Sequence, residues 1–462
     1  MSLATSPAPA AAPPPLAAGP AERIAPDLNA TRRTSLRQRL LRFLVVAGPG
    51  LIVMVADNDA GAVSTYTQAG ARYGTALLWV LPILFPITYF VQEMVARLGI
   101  ATGEGLAATI YNRFGAGWGR ISLASLLTVN FLTLVTEFAA IALASRHLGL
   151  SPLVAVPTAG VALLLLVATG SYRRWERLTL MLCGLNLGWI VLAVAVGPHW
   201  GTALAAATIP HAPAGGVTGD FVFLAMAIVG TTIAPWQLFF QQSCVADKEL
   251  GVADLRMARL DTAAGAVAVV VFAACMMLVG EAVFRNGADY QDPAQMAFIL
   301  RPLVGWGGTA LLLLLMINAA LVGATAVSLS SAWAWGEVMG LRNMLQKNVA
   351  EAPQFYLAYA LSVGTAAVIT LIPEAPLQVI IIGVQVLSGV MLLPAIVCLQ
   401  LLLKDRAILG PQLVNRAWNS RVSWTIASVL FGLSLLLAGQ ALLPGAVASR
   451  LTPGASESEA RS

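Results

Sequence analysis

Two acidic residues lie in the middle of a long apolar segment near the start of the chain. The segment reads GPGLIVMVADNDAGAV, and only Asn58 separates Asp57 from Asp59. A carboxylate at the centre of a bilayer costs about 2.5–3.5 kcal/mol on insertion scales, and Asp, Asn and Gly are poor helix formers. We predict an unwound stretch here, because freed backbone carbonyls are tolerated at that depth only where they line a cavity. Carbonyls and carboxylates together are the ligands of a hard cation.

An alternative is that the two aspartates pair with a buried arginine or lysine. Nearly every Lys and Arg of the chain lies at the end of an apolar segment rather than in its middle. Ionisable groups inside a membrane are normally paired with one another or functional. Because the sequence offers so few partners at that depth, we favour the cation site.

A second apolar segment is interrupted in the same way. It reads FLAMAIVGTTIAPWQLFFQQS, with Gly230, Thr231, Thr232 and Pro235 in its middle. Proline removes a backbone donor and clashes with the preceding turn, so we predict a kink or a break. A simple proline kink is the alternative. The interrupted segments are the first and the sixth along the chain, and matched interruptions in two halves of a membrane protein indicate a transport site at the midplane.

The composition requires a membrane environment for most of the chain. Of 462 residues 58% are hydrophobic and 11% are charged, against about 25% charged in soluble domains. The four cysteines are far apart in the sequence, which favours apolar packing over a metal knuckle. No metalloprotease motif or nucleotide-binding loop is found. We therefore predict an integral membrane protein that is not an enzyme and has no nucleic-acid partner.

Eleven segments are long and apolar enough to cross a bilayer, which takes about 20 residues. Five is an odd number, so two consecutive five-helix units insert in opposite directions, and eleven spans fit two inverted repeats plus one helix. The predicted spans are 43–71, 75–99, 121–145, 153–170, 178–197, 219–241, 261–284, 307–337, 354–373, 376–403 and 422–445.

The distribution of basic residues predicts the orientation of these spans. With the N-terminus inside, 21 of the 27 Lys and Arg residues fall on the cytoplasmic side and six on the external side, as the positive-inside rule requires. We predict a cell inner (plasma) membrane protein with a cytoplasmic N-terminus and an external C-terminus. The predicted parts are a disordered cytoplasmic tail (1–41), a first repeat (42–200), a second repeat (215–405), an eleventh span (420–446) and an external disordered tail (447–462).

The motifs around the first two spans resemble the natural-resistance-associated macrophage protein (NRAMP) family of divalent-metal transporters. Gly48-Pro49-Gly50 and the run AGARYG (69–74) flank the first interruption, and the second span ends in ARLGIATGEGLA (96–107). The resemblance extends from about Phe43 to Leu403. It implies an all-α membrane protein with the leucine-transporter fold, two inverted five-helix repeats plus an eleventh transmembrane helix.

The resemblance also implies where a metal would bind. It places Asp59 on the metal-binding aspartate of the family and adds the backbone carbonyl of Thr231 and the position of Ala234. Gln385 lies in a stretch similar to a family segment that carries a glutamine, with helix packing as the alternative role. Together with the acidic run itself, the predicted metal site is Asp59, Asp57, Thr231, Ala234, Asn58 and Gln385.

Several family positions carry other residues in this chain. Ala234 replaces a metal-binding methionine, Trp236 and Gln241 replace two histidines, and Leu134 replaces an aspartate three residues before Glu137. Loss of the soft thioether removes a preference for transition metals, and oxygen ligands suit a partly hydrated Mg²⁺. The pattern resembles the branch of NRAMP-related magnesium transporters.

These departures predict uptake of Mg²⁺, with Mn²⁺ as a competing substrate and no cofactor. A divalent ion gains roughly 4.6 kcal/mol from a 100 mV potential, at about 2.3 kcal/mol per charge, so uptake does not require protons. Glu137 and Glu93 are the remaining intramembrane carboxylates. The alternatives are a proton-coupled Mn²⁺ or Fe²⁺ transporter of the main family and an amino-acid transporter of the same fold. We expect a monomer in contact with lipid.

Overall fold

The computed structural model describes residues 48–168, 170–213, 216–341, 344–372 and 375–442. The predicted tails 1–41 and 447–462 lie outside the described residues, as does the end of the predicted eleventh span. Along these residues the chain forms α-helices and two short 3-10 helices, Val252–Asp254 and Met344–Gln346. The α-helices are α1 (Pro49–Ala56), α2 (Ala60–Tyr73), α3 (Val80–Thr102), α4 (Leu106–His147), α5 (Pro152–Val167), α6 (Tyr172–Leu185), α7 (Gly188–Ala195), α8 (Trp200–Thr208), α9 (Gly219–Thr232), α10 (Pro235–Asp247), α11 (Leu255–Arg285), α12 (Pro293–Ile299), α13 (Arg301–Val338), α14 (Pro353–Thr370), α15 (Leu377–Leu403), α16 (Arg406–Leu413) and α17 (Ala417–Leu442).

Each predicted span is largely helical within the part of the chain that the structure describes. Seven helical segments there are long and apolar enough to cross a membrane by length and composition, and α5 is a shorter apolar helix. Large apolar side chains stay exposed on outward faces, such as Leu153 and Leu165 of α5 and Leu361 and Val368 of α14. These faces fit contact with lipid chains, because a bilayer favours apolar side chains at its boundary.

The predicted interruption of the first span is confirmed. Helix α1 begins with Pro49 in its first turn and is capped at its end by Asp57. Helix α2 begins at Ala60, and Asp59 is its N-cap with extended backbone angles. Residues 57–59 therefore lie between two half-helices. The Asp59 side chain accepts from a backbone N–H at the start of the second half-helix and so caps it.

The sixth span is also broken rather than kinked. Helix α9 ends at Thr232, and Ile233 and Ala234 both have extended backbone angles. Pro235 then occupies the first turn of α10, where its missing N–H has no intrahelical partner to lose. The proline thus restarts a helix instead of bending one.

The half-helices pack on long, unbroken helices through close backbone approaches. A side chain on Gly70 of α2 would collide with the backbone of Met277 in α11, and a side chain on Gly280 of α11 would collide with Thr67. The second half of the sixth span, α10, packs in a similar way on α3, where Gly99 contacts Gln242. Each second half-helix is thereby attached to a helix of the other half of the chain, as two interlocked repeats require.

Polar side chains in the middle of spans join neighbouring helices. Asn130 of α4 donates to the Ser331 hydroxyl of α13 at 3.0 Å, and Asn318 of α13 donates to the Leu182 carbonyl of α6 at 3.1 Å. Both bonds cross between spans, so the two asparagines serve as interhelical hydrogen-bonding residues.

The start of α1 is held by a side chain from α11. The Asp261 carboxylate accepts hydrogen bonds from the backbone N–H groups of Gly48, Gly50 and Leu51 at 3.1, 2.7 and 3.2 Å. These are N–H groups that a helix cannot satisfy internally. One carboxylate therefore fixes the end of α1 that is remote from the break.

Glu93 is an intramembrane carboxylate that is fully paired. It lies 3.2 Å from Arg97 of its own helix and 2.8 Å from Arg259 of α11. Arg97 also donates to the Leu413 carbonyl at 2.5 Å and to the Asn415 amide oxygen at 2.6 Å. This cluster ties α3 and α11 to the segment that leads into α17, so Glu93 has a structural role.

Candidate functional site

The two breaks lie side by side in the interior of the protein. The Tyr66 hydroxyl of α2 hydrogen-bonds to the Thr232 hydroxyl at the end of α9, with the oxygens 2.7 Å apart. Between the other two half-helices, α1 and α10, the Gln237 amide of α10 donates a hydrogen bond to Asp57 at the end of α1. The unwound residues of both spans therefore share one site, as the sequence predicted.

Asp57 is buried with one oxygen occupied. Its exposed fraction is 1%, and its Oδ1 accepts from Gln237. Its Oδ2 has no hydrogen-bond partner. A buried carboxylate oxygen without a donor is costly, so this oxygen is available to a cation or to a water molecule on a cation.

Asp59 faces a second carboxylate that the sequence did not place in the site. Asp59 Oδ1 accepts from the Ala62 N–H at 2.9 Å, and Glu137 Oε2 of α4 accepts from the Ala60 N–H at 3.1 Å. Both acids thus bind the first turn of α2, where the helix dipole favours negative charge. A side chain on Gly323 would collide with both Asp59 and Glu137, so the two acids lie next to each other in the site.

Neutral oxygen donors surround these acids. Asn58 is 1% exposed, and neither its amide oxygen nor its nitrogen has a partner. The Thr231 hydroxyl, in the last turn of α9, is also buried without a partner. Ala234 is buried in the extended stretch that follows. This stretch offers backbone carbonyls and no side-chain ligand.

Gln385 reaches the site from α15. A side chain on Gly61 would collide with the Gln385 amide, and a side chain on Gly230 would collide with the Gln385 backbone carbonyl. Gln385 therefore contacts both broken spans, and its Nε2 has no partner. The structure brings all six predicted residues to the same region.

In the part of the chain that the structure describes, no basic side chain neutralises the site. Among the ion pairs that the described residues form, none includes Asp57 or Asp59. Within the same residues, no group of three or more His, Cys, Asp or Glu side chains could hold a metal ion. A cation here would rely on few carboxylates and on amide, carbonyl and water oxygens.

Comparison with known proteins agrees with this architecture. A family model described as natural resistance-associated macrophage protein-like matches residues 50–440. The chain belongs to the NRAMP family. The "Divalent metal cation transporter MntH" of Xanthomonas campestris pv. campestris is 29% identical to this NRAMP protein over 419 residues, which cover 86% of this chain and 90% of the relative.

Solved structures show the fold of this NRAMP protein. A crystal structure of the Eremococcus coleocola manganese transporter has a TM-score of 0.73 at 20% identity and covers 92% of this chain and 91% of its own. The structure of MhsT in complex with L-phenylalanine has a TM-score of 0.55 at 13% identity, with 84% and 98% covered. The predicted all-α membrane fold of the leucine-transporter type, with two inverted five-helix repeats plus an eleventh helix, is confirmed.

Three further polar residues, Glu137, Gln237 and Gln92, lie at this NRAMP site although the sequence does not place them there. The sequence marks Glu137 only as an intramembrane acid and does not single out the two glutamines. Each is a polar side chain inside an apolar span and each is buried, which was a usable signal. What the sequence could not supply was their distance from the breaks, because they lie on α4, α10 and α3.

Proposed function

We propose that this protein is a secondary transporter that moves divalent metal cations into the cytoplasm by alternating access. The observation that carries the proposal is the pair of adjacent helix breaks, which places two aspartates that form no ion pair among the described residues next to the unpartnered Asn58 amide and Thr231 hydroxyl. Discontinuous spans of this kind form the substrate sites of transporters. The relatives named as a divalent metal cation transporter and a manganese transporter support the same class of substrate.

Within this class we propose Mg²⁺ as the main substrate and Mn²⁺ as a second one. The six residues of the candidate site (Asp57, Asn58, Asp59, Thr231, Ala234 and Gln385) offer oxygen and nitrogen atoms but no sulfur. Oxygen donors suit Mg²⁺ and Mn²⁺, whereas thioether sulfur favours softer ions. Mg²⁺ is usually held by one or two carboxylates and keeps several waters, which fits two aspartates in a break lined by small residues.

We further propose that uptake is driven by the membrane potential, in a monomer of the cell inner (plasma) membrane with its N-terminus inside. Both histidines of the family's sixth span are replaced, by Trp236 and Gln241. Gln241 donates to the Thr262 hydroxyl at 3.1 Å, and Trp236 packs against Phe240. Neither side chain titrates near neutral pH, so neither can carry protons as a histidine does.

One observation favours a second candidate, a proton-coupled Mn²⁺ transporter. Asp59 and Glu137 face each other in the site, and a carboxyl pair that shares a proton can release it when a cation binds. The Eremococcus coleocola protein of similar fold is also a manganese transporter. In this alternative each metal ion that enters would be accompanied by protons.

Uptake by purified protein in vesicles separates these proposals. The internal Mg²⁺, Mn²⁺ and amino acid would be measured together with internal pH under an imposed potential. We expect Mg²⁺ and Mn²⁺ to enter and compete without acidification, and Asp59→Ala to abolish uptake while the exposed control Asp289→Asn retains it. Metal-dependent acidification would establish the second candidate, and amino-acid uptake without metal uptake would overturn both.

A further inference from the structure

We propose that Gln237 and Gln92 are positioning residues that orient Asp57 toward the transported ion. The inference rests on the proposed function, since it concerns how one acid of that site is presented. It assigns a role in metal affinity to two glutamines that lie outside the broken residues themselves. The inference is specific to this chain, because its sequence carries a second acid, Asp57, two residues before Asp59.

The two glutamines form a chain of hydrogen bonds that ends on Asp57. Gln237 lies in the first turn of α10, and its Nε2 donates to Asp57 Oδ1. The Gln237 Oε1 accepts from Gln92 Nε2 of α3 at 3.0 Å. Both glutamines have an exposed fraction of 0%, so water does not compete for these bonds.

The order of donors in this series of hydrogen bonds fixes the orientation of the Gln237 amide. A carboxamide can donate from its nitrogen and accept at its oxygen, and either end can face a neighbour. With Gln92 donating to its oxygen, Gln237 must turn its NH₂ group toward Asp57. Without Gln92 the amide can rotate and present its oxygen to the carboxylate, an arrangement that repels Asp57 instead of holding it.

The consequence for Asp57 is a single preferred orientation. One oxygen is held by Gln237 and the other, Oδ2, is left without a partner. A hydrogen bond to a charged acceptor is stronger than a neutral one, so the carboxylate loses little freedom when an ion arrives. Outer residues that orient a metal ligand typically change metal affinity by 10–100-fold when they are mutated.

A purely structural role is the competing explanation. Buried glutamines also join membrane helices without any contact to substrate, and Gln242 of the same helix does this by donating to the Glu104 carbonyl at 2.9 Å. Loss of such a bond lowers stability and the amount of active protein, but it leaves the metal concentration for half-maximal uptake unchanged. That concentration therefore distinguishes the two roles.

The test is the KM for Mg²⁺ in vesicle uptake, with Mn²⁺ as a second probe. For Gln237→Leu we expect the KM to rise about tenfold while Vmax per folded protein changes less than threefold. Gln92→Leu should raise the KM by a smaller factor, and the double variant should match Gln237→Leu alone because both act through Asp57. Asp57→Asn should raise the KM at least as much, and the control Gln242→Leu should leave it unchanged.

Two results would overturn the proposal. One is an unchanged KM in Gln237→Leu, and the other is strict additivity of the two glutamine effects. If Gln237→Leu does not fold, Gln237→Glu decides instead, since it keeps the acceptor for Gln92 and loses the donor to Asp57, and an unchanged KM there refutes the role. Absence of any divalent uptake by the wild-type protein would refute the proposed function rather than this inference.

Discussion

Gly323 of α13 lies directly against Asp59 at the break in the first span. A Cβ atom on Gly323 would come within 2.6 Å of the Asp59 Cβ atom and 2.9 Å of the Glu137 carboxyl carbon. Carbon atoms at optimal separation are about 3.5–4.0 Å apart. The absence of a side chain at this one position is therefore what allows both acids to occupy the site.

Gly323→Ala should reduce metal uptake at least tenfold. The added methyl group must displace Asp59 or Glu137 by about 1 Å to reach a normal carbon–carbon separation. The measurement is initial Mg²⁺ uptake per folded protein in vesicles. Gly383→Ala is the matched control, since no atom lies within 4 Å of its Cβ position on α15. Wild-type uptake in Gly323→Ala would show that the acids do not need their observed positions.

Ala234→Met should shift ion preference toward softer ions, because it adds a thioether beside the extended stretch of the sixth span. We expect the ratio of Cd²⁺ to Mg²⁺ uptake to rise by about tenfold, equivalent to 1.4 kcal/mol. Ala234→Leu is the control, since it fills a similar volume without sulfur. Equal ratios in the two variants would mean that the side chain at this position does not contact the ion.

Asp261→Ala should destabilise the protein by about 2 kcal/mol, since N–H groups at the start of α1 lose their acceptor in a buried place. Thermal unfolding of the purified protein in detergent measures this. Asp261→Asn keeps a carbonyl acceptor and should lose less. The exposed Asp289→Asn should not change the unfolding temperature. An unaltered temperature in Asp261→Ala would show that α1 is held by other contacts.

Glu93→Gln should destabilise the protein more than Asp261→Ala does. It leaves Arg97, whose side chain is 4% exposed, without its carboxylate, and breaking a buried ion pair costs about 3–5 kcal/mol. Glu281→Gln offers a comparison, because its partner Arg285 is 3.9 Å away, beyond hydrogen-bond distance, and keeps hydrogen bonds to the Gly197 and Val196 carbonyls, so the loss should be about 1 kcal/mol or less. Similar unfolding temperatures for the two variants would contradict the structural role given to Glu93.

The spans and both breaks could be predicted because their causes are local. Apolar length defines a span, and Asp57, Asn58 and Asp59 or Pro235 interrupt a helix wherever they occur. The fold followed from these features together with the resemblance of the flanking motifs. At Pro235, in contrast, the sequence left a kink and a break both open. The full break depends on Ile233 and Ala234, whose extended backbone angles the sequence did not reveal.

The partners of the acids could not be predicted because they depend on distances between remote segments. Glu137 is 77 residues from Ala60, and Gln237 is 180 residues from Asp57. No periodicity within a single helix indicates which polar residue meets which break. Asp261 is a similar case, since its position on α11 gave no sign that it caps α1.

The amide donors on the three acids have a consequence for how long an ion stays. Asp57, Asp59 and Glu137 each accept one N–H from the protein, so part of their negative charge is already compensated before an ion arrives. Carboxylates without these hydrogen bonds would bind a divalent cation more tightly and release it more slowly. A transporter must release its ion in every cycle, so binding that is too strong limits turnover, just as binding that is too weak limits entry. The hydrogen-bonded carboxylates therefore favour a short residence time of the ion in the site and a high rate of exchange.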